Sequence, residues 1–215
     1  MNETIVGFGQ VFDKLVHDAL TTSTGDFPST CFTSECPMGD LITDCMISEQ
    51  AQSTKPVEIS LVNSGGIRAN FLKGQVTYSD VMGALPFGNS VASFSYPGSK
   101  VLQLLEHIAD NMSTDRQVAN MVTLPQFGGI RWAFNSSLPF GARVINATVG
   151  SEQLDPTREY QVSTIDFLLG GGDNIFPKFE QMPPIGDTLA DLVASCLRKK
   201  PSISPITDGR TAILN

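Results

Sequence analysis

The sequence has 215 residues, 41% of them hydrophobic and 17% charged, which is enough for one large domain with a sizeable core. Its formal net charge of −8 argues against nucleic acid as a partner, because phosphate backbones are bound through basic surfaces. No apolar run approaches the roughly 20 residues that span a bilayer, so we expect no transmembrane segment.

The first part of the chain combines short predicted elements with a long polar segment. Residues 4–6 predict a strand, and residues 11–20 fit either a short helix or a strand. Residues 21–37 are rich in Ser, Thr, Gly and Pro, which indicates a loop. Residues 38–48 carry their apolar side chains on one face, so we expect a helix there.

Residues 57–62 predict a buried strand that ends in a glycine-rich turn at 63–68. Residues 78–85 predict a short helix with Ser79 as its cap, and residues 91–96 predict a strand. Residues 100–111 form the clearest helix of the sequence, because their apolar side chains recur at intervals of three and four.

From residue 123 the pattern becomes mainly β. Residues 129–134 and 143–149 alternate apolar and polar side chains, and residues 160–164 predict a strand that enters a second glycine-rich turn. Residues 187–199 predict another amphipathic helix, and the C-terminal tail predicts an edge strand. Strands and helices are mixed without a regular βαβ alternation, so we predict an α+β fold with mixed sheets.

Four cysteines are too few to build the scaffold of a chain of this size. Cys31 and Cys36 lie five positions apart in the predicted loop, a spacing that can close a small ring. Cys45 and Cys196 fall in predicted helices, which leaves open whether they are buried thiols or a second disulfide.

Four N-x-S/T sequons begin at Asn2, Asn111, Asn135 and Asn146. Together with a loop disulfide they favour a secreted or cell-surface glycoprotein, so we expect an extracellular location. The first residues lack the basic and apolar regions of a signal peptide, from which we expect Met1 to begin a shortened form of a longer protein.

The common catalytic motifs are missing from the sequence. It has no G-x-S-x-G elbow, no P-loop lysine motif and no H-E-x-x-H helix. Its two histidines, His17 and His107, are interpreted as a surface and a boundary residue, and no metal site is predicted. We therefore predict no catalytic residue in this chain and expect that it breaks no covalent bond alone.

The two glycine-rich turns carry residue types that suit recognition of a nucleoside. A base favours aromatic rings on both faces and an amide at its polar edge, and a ribose diol favours a carboxylate. The candidate binding residues are Asn63, Gly65, Gly66, Arg68, Phe87, Asn89, Phe167 and Asp173. Tight-turn chemistry explains the glycines equally well, so on the residues alone both interpretations stay open.

The ordered series of motifs resembles the C-terminal domain of the 5′-nucleotidase family, which includes ecto-5′-nucleotidases, bacterial UDP-sugar hydrolases and apyrases. Residues 63–68, 85–89 and 167–173 carry the resemblance, with 36–42 and 208–210 near its ends. It covers nearly the whole chain, residues 1–215, as a single domain. It implies a four-layer α/β/β/α fold with mixed sheets.

The resemblance implies a domain that binds the nucleoside part of a ligand such as adenosine or AMP. Phe87 and Phe167 resemble the pair of rings that encloses the base, and Asp173 resembles the acceptor for the ribose hydroxyls. Arg68 and Asn63 resemble residues on the ribose and phosphate side.

Three further positions are interpreted through the same resemblance. Asn89 matches the bacterial members, where this position lies at the edge of the base. Cys31 and Cys36 resemble a disulfide of the animal members. Phe32 departs from the pattern, because many relatives have an arginine there that helps to hold the substrate.

The family's N-terminal metallophosphatase domain has Asp-x-His, Gly-Asn-His-Glu and His-x-His ligands that do not occur in this sequence. The resemblance implies that two divalent metals on such a domain, zinc or similar, hydrolyse the phosphate ester, with this chain holding the substrate. The alternative is a non-catalytic secreted binding module or antigen with the same fold, which Phe32 favours. The sequence leaves open the preferred base and whether the longer protein forms a homodimer.

Overall fold

A computed structural model describes residues 17–112 and 123–214, which contain five α-helices and three β-sheets. The helices are α1 (Pro37–Glu49), α2 (Tyr78–Ala84), α3 (Gly98–Asn111), α4 (Asp166–Leu169) and α5 (Leu189–Arg198). The prediction for residues 4–6, most of that for 11–20, and the sequon at Asn2 lie outside the described residues.

The twelve strands are β1 (Ala19–Ser23), β2 (Ile59–Val62), β3 (Gly74–Thr77), β4 (Ser90–Pro97), β5 (Gln126–Gly128), β6 (Ile130–Asn135), β7 (Val144–Val149), β8 (Glu152–Gln153), β9 (Glu159–Ile165), β10 (Ile185–Thr188), β11 (Ser202–Ile203) and β12 (Thr211–Leu214). They form a five-stranded sheet with the order β10-β4-β9-β2-β5, a four-stranded sheet β12-β6-β7-β8 and a three-stranded sheet β11-β1-β3. Each sheet contains parallel and antiparallel pairs, which confirms the predicted α+β fold with mixed sheets.

Strand β2, an inner strand of the five-stranded sheet, has all four of its residues buried. Strands with both faces covered are typically continuous apolar runs, and β2 meets this rule except for Ser60. The Ser60 hydroxyl donates to the Thr43 carbonyl of α1 at 2.8 Å, so its burial leaves no unpaired donor. Helix α1 packs against β2, β5 and α5, while α3 contacts β4 and β7.

Two local predictions were wrong. Residues 21–23 belong to strand β1 and not to a loop, because they pair with β3 and β11. Helix α2 is capped by Thr77 and not by Ser79: the Thr77 hydroxyl accepts from the Asp80 amide, and the Asp80 carboxylate accepts from the Thr77 amide. This reciprocal arrangement is a capping box.

Both cysteine pairs form disulfides. Cys31–Cys36 closes the loop before α1, as the resemblance implied. Cys45–Cys196 joins α1 to α5, which answers the question that the sequence left open. None of the helices in the two described ranges is long and apolar enough to cross a membrane.

Candidate ligand-binding site

The site lies at one edge of the five-stranded sheet, where three distant segments of the chain meet. Strands β2 and β9 are parallel, so the turns that follow Val62 and Ile165 emerge at the same edge. Strand β4 is antiparallel to β9 and pairs Val91 with Ile165, so β4 begins at this edge. The residues before β4 therefore lie beside the two glycine-rich turns.

A cavity of about 330 Å³ opens between these segments, lined by Asn63, Gly65, Phe87, Asn89, Phe167 and Asp173. Six of the eight predicted binding residues thus share one cavity. Gly66 lines a narrow adjoining space of about 10 Å³ instead. Arg68 does not line this cavity: its side chain is exposed, and Nη1 donates to the Gly65 carbonyl at 3.3 Å.

Two phenylalanine rings at the cavity are unusually accessible for their type. Phe87 is 59% exposed and Phe167 is 42% exposed. Phe87 precedes Gly88, whose φ of 64° gives the turn a conformation that glycine adopts readily. Exposed aromatic rings facing one cavity indicate a binding surface for a flat, apolar ligand group.

The Phe167 ring lies directly over Gly172. A Cβ atom added at Gly172 would come within 2.5 Å of the ring atoms Cε1 and Cζ. Any side chain at position 172 would therefore displace the ring, so the second glycine-rich turn fixes the place of Phe167 as well as that of Asp173.

Asn63 and Asp173 join the two glycine-rich turns by a hydrogen bond, in which the Asn63 Nδ2 donates to the Asp173 Oδ2 at 2.7 Å. Asn63 is only 6% exposed, and its Oδ1 has no hydrogen-bond partner among the described residues. A buried amide oxygen without a partner is costly, and here it belongs to a residue that lines the cavity. The pair thus holds the Asp173 carboxylate beside the cavity, while the Asn63 Oδ1 is buried towards Gly66.

The backbone that carries Asp173 is in a sparsely populated conformation. Asp173 has φ 52° and ψ 14°, and Asn174 also has φ 52°. Gly171, at φ 92°, is likewise in the positive-φ region. Non-glycine residues with positive φ cost free energy and cluster at functional sites.

Asp166 connects two walls of the cavity and was missed from the sequence. Its Oδ1 accepts from the Ser90 amide at 3.2 Å and from the Phe167 amide at 2.8 Å. It therefore ties the start of β4, which follows Asn89, to the start of α4. The signal that could have revealed Asp166 is a carboxylate in the first turn of a helix directly before Phe167.

A separate acidic cluster lies between the Cys31–Cys36 loop and the C-terminal segment. Carboxylate oxygens of Glu35, Asp40 and Asp208 lie within 4.8 Å of one another. The Arg210 guanidinium lies beside two of them, with Nε 3.4 Å from Asp40 and 3.0 Å from Asp208. Burial raises the pKa of Asp40 to about 8, although Arg210 opposes the shift. The guanidinium already supplies a positive charge to Asp40 and Asp208.

Comparisons with known proteins identify the family of this domain. Residues 18–181 match the family model described as 5′-nucleotidase, C-terminal domain. An apyrase of Tabanus yao is 31% identical over 156 residues, which are 66% of this chain and 28% of the relative. Human 5′-nucleotidase is 27% identical over 199 residues, which are 84% of this chain and 34% of the relative. The chain thus spans about a third of the length of these curated relatives.

Among solved structures, the 5′-nucleotidase precursor of Thermus thermophilus superposes with a TM-score of 0.79. It is 27% identical, and the match covers 99% of this chain and 43% of that one. The similarity therefore extends over the whole domain described above.

Proposed function

The chain belongs to the 5′-nucleotidase family, whose C-terminal domain it matches, and we propose that it binds the nucleoside part of a nucleotide in the cavity between Phe87 and Phe167. The observation that carries this proposal is the convergence of two exposed rings and the Asn63–Asp173 pair on one cavity. Its volume of about 330 Å³ falls in the range of ligand pockets, roughly 300–1,000 Å³.

In this proposal the base stacks between the two phenylalanine rings. Stacking of a base on an aromatic side chain contributes about 1–3 kcal/mol, because it replaces two hydrated apolar faces by one dry contact. The exposure of both rings supports their use as platforms. The Asn89 side chain, which also lines the cavity, would serve the polar edge of the base.

The ribose hydroxyls would donate to Asp173. An ionised carboxylate has about four acceptor positions, and Asn63 occupies one of them on Oδ2. The Asp173 Oδ1 would therefore accept from the ribose diol. Arg68 has unused guanidinium donors and would act on the phosphate side.

Hydrolysis of the phosphate ester would belong to another domain. The family normally uses metals in its N-terminal domain, whereas Asp40 and Asp208 of the acidic cluster in this chain pair with Arg210. We therefore propose that this chain recognises the substrate and that two divalent metals on an N-terminal domain carry out the chemistry.

An extracellular, glycosylated protein is the second part of the proposal. Two disulfides favour an oxidising compartment. Asn111 is only 9% exposed and lies in α3, which argues against a glycan at its sequon. Asn146 is exposed on β7 and Asn135 is half-buried, and the Oδ1 of each accepts a hydrogen bond, from Gln153 and Ser137 respectively. Asn146 is therefore the preferred glycan site.

One observation favours a non-catalytic secreted binding module as the alternative. Phe32, which stands where the family resemblance expects a substrate-holding arginine, is exposed and carries no charge for a phosphate. Such a module would bind adenosine and AMP with equal affinity, whereas a recognition domain for phosphorylated substrates would prefer AMP.

Calorimetry with adenosine and AMP tests the proposal on the wild-type chain and on Phe167→Ala. We expect the substitution to lower the affinity for both ligands about 5- to 150-fold, the equivalent of about 1–3 kcal/mol of stacking. Phe140→Ala is the matched control, because Phe140 is also an exposed phenylalanine but does not line the cavity. Absence of binding to the wild type at millimolar ligand would contradict the proposal.

A further inference from the structure

The turn formed by residues 171–174, called here the Asp173 turn, is poorly held by its own hydrogen bonds. Three of its four residues have positive φ. The bond from the Asn174 amide to the Gly171 carbonyl is 3.3 Å long, and that from the Ile175 amide to the Gly172 carbonyl is 3.4 Å long. Bonds of this length are weak, so the strained conformation needs support from outside the turn.

His107 supplies such support from helix α3. Its Nε2 lies 2.7 Å from the Asn174 carbonyl oxygen. Among the residues that the structure describes, it is the only side chain that hydrogen-bonds to the main chain of the Asp173 turn. The contact is one residue away from Asp173 and is shorter than either bond within the turn.

The identity of the acceptor fixes the tautomer of His107. A carbonyl oxygen only accepts, so Nε2 must carry the hydrogen. Asn111 lies one helical turn further on, with its amide 3.1 Å from the same Nε2. Because a protonated Nε2 is a donor, the amide oxygen of Asn111 is the compatible neighbour, and a turn of the amide group by about 180° provides it. Asn111 therefore helps to orient the ring.

Packing alone does not explain the position of the His107 ring. The ring borders an open cavity of about 270 Å³, lined also by Tyr96, Gln103 and Phe176, so much of it lacks close neighbours. Helix α3, by contrast, is anchored by fully buried side chains such as Leu105 and Ile108. The hydrogen bond thus connects a rigid helix to a strained turn.

We propose that His107 is a positioning residue for nucleoside binding: by holding the Asn174 carbonyl it keeps the Asp173 carboxylate in the orientation that the ribose hydroxyls require. This inference rests on the proposed function of the cavity. Without the bond, the turn samples other backbone conformations, and the ligand must select the competent one, which lowers its apparent affinity.

Adenosine calorimetry and amide hydrogen exchange of residues 172–175 test this inference on His107→Ala, His107→Gln and the control Gln103→Ala. The glutamine Nε2 is the same number of bonds from Cα as the histidine Nε2, so it can donate to the same carbonyl. We expect His107→Ala to weaken adenosine about 5- to 30-fold and to speed exchange in the Asp173 turn. His107→Gln should restore most of the adenosine affinity and most of the protection from exchange. Gln103→Ala should change neither quantity.

Two results would overturn the inference. One is that His107→Ala binds adenosine with wild-type affinity and that its residues 172–175 exchange their amide hydrogens at the wild-type rate. The other is equal weakening in His107→Ala and His107→Gln with equally lowered unfolding midpoints, since that pattern marks a packing role. If the wild-type chain fails to bind adenosine, the proposed function fails, whereas hydrogen exchange of the unliganded variants still decides whether His107 holds the turn.

Discussion

Two polar clusters of this domain are built from similar residues and differ in what surrounds them. The Asn63–Asp173 pair borders a cavity between two exposed rings, and Asp173 lies on strained backbone. In the cluster of Glu35, Asp40 and Asp208, the two aspartates pair with the buried guanidinium of Arg210. The comparison teaches how to tell the two kinds of carboxylate apart. A carboxylate that lines an open cavity indicates a ligand site, whereas one that already pairs with a buried cation indicates a structural role.

The largest effect is expected from Arg210→Ala. Arg210 is buried, pairs with Asp40, Asp44 and Asp208, and donates to the Phe127 carbonyl, so its removal breaks several charge-assisted contacts at once. We expect a loss of about 3–5 kcal/mol in the free energy of unfolding, measured by urea denaturation. Arg131→Ala removes an exposed partner of the same Asp208 and should cost less than about 1 kcal/mol. Equal losses in the two variants would show that the cluster is not held by Arg210.

The next effect is on binding, from Asp173→Ala. Loss of the carboxylate removes the proposed ribose acceptor, and hydrogen bonds to charged groups contribute about 1.5–3 kcal/mol. We expect adenosine affinity to fall roughly 10- to 150-fold in calorimetry. Asp208→Ala, in the other cluster, should lower stability without changing affinity. Reversed results for the two aspartates would contradict the division between a ligand site and a structural site.

A pH-dependent effect on stability is expected from Asp40→Asn. Burial raises the pKa of Asp40 from its ordinary value of 3.8 to about 8, so the folded chain keeps a proton that the unfolded chain loses. The stabilising contribution of this proton is complete below about pH 4 and is lost as the pH rises to about 8. The free energy of unfolding of the wild type, measured by thermal unfolding, should therefore fall more steeply with pH than that of Asp40→Asn between about pH 5 and 8, by up to about 1.4 kcal/mol per pH unit. Identical slopes for wild type and variant would contradict a protonated Asp40.

The helices of the core could be predicted from the sequence because their signals are local. Residues 38–48 and 100–111 place apolar side chains on one face, and both segments are helical within two residues of the expected bounds. The cap of α2 was misassigned although the sequence held the signal, since Thr77 lies three residues before Asp80.

Features that depend on distant partners could not be predicted in the same way. Residues 21–23 are polar and become a strand only by pairing with β3 and β11. The bond between Cys45 and Cys196 depends on the packing of α1 against α5. The contact of His107 with Asn174 likewise needs the fold, so the sequence alone suggested an ordinary boundary histidine.

The two glycine-rich turns were predictable as a set, while their arrangement was not. The parallel pairing of β2 and β9 brings residues 63–66 beside residues 167–173. No periodic pattern encodes that pairing, because it joins strands about a hundred residues apart in the sequence. The position of Gly66 and Arg68 outside the main cavity is a consequence of the same geometry.

The base-stacking claim is tested most directly by proton NMR of adenosine titrated with the wild-type chain and with Phe87→Leu and Phe167→Leu. Aromatic rings above and below a base shift its protons upfield, so we expect upfield shifts of adenine H2 and H8 on binding. Each leucine substitution keeps an apolar side chain but removes one ring, and should reduce these shifts. Binding that leaves H2 and H8 unshifted, or shifts that persist in both variants, would contradict a base held between Phe87 and Phe167.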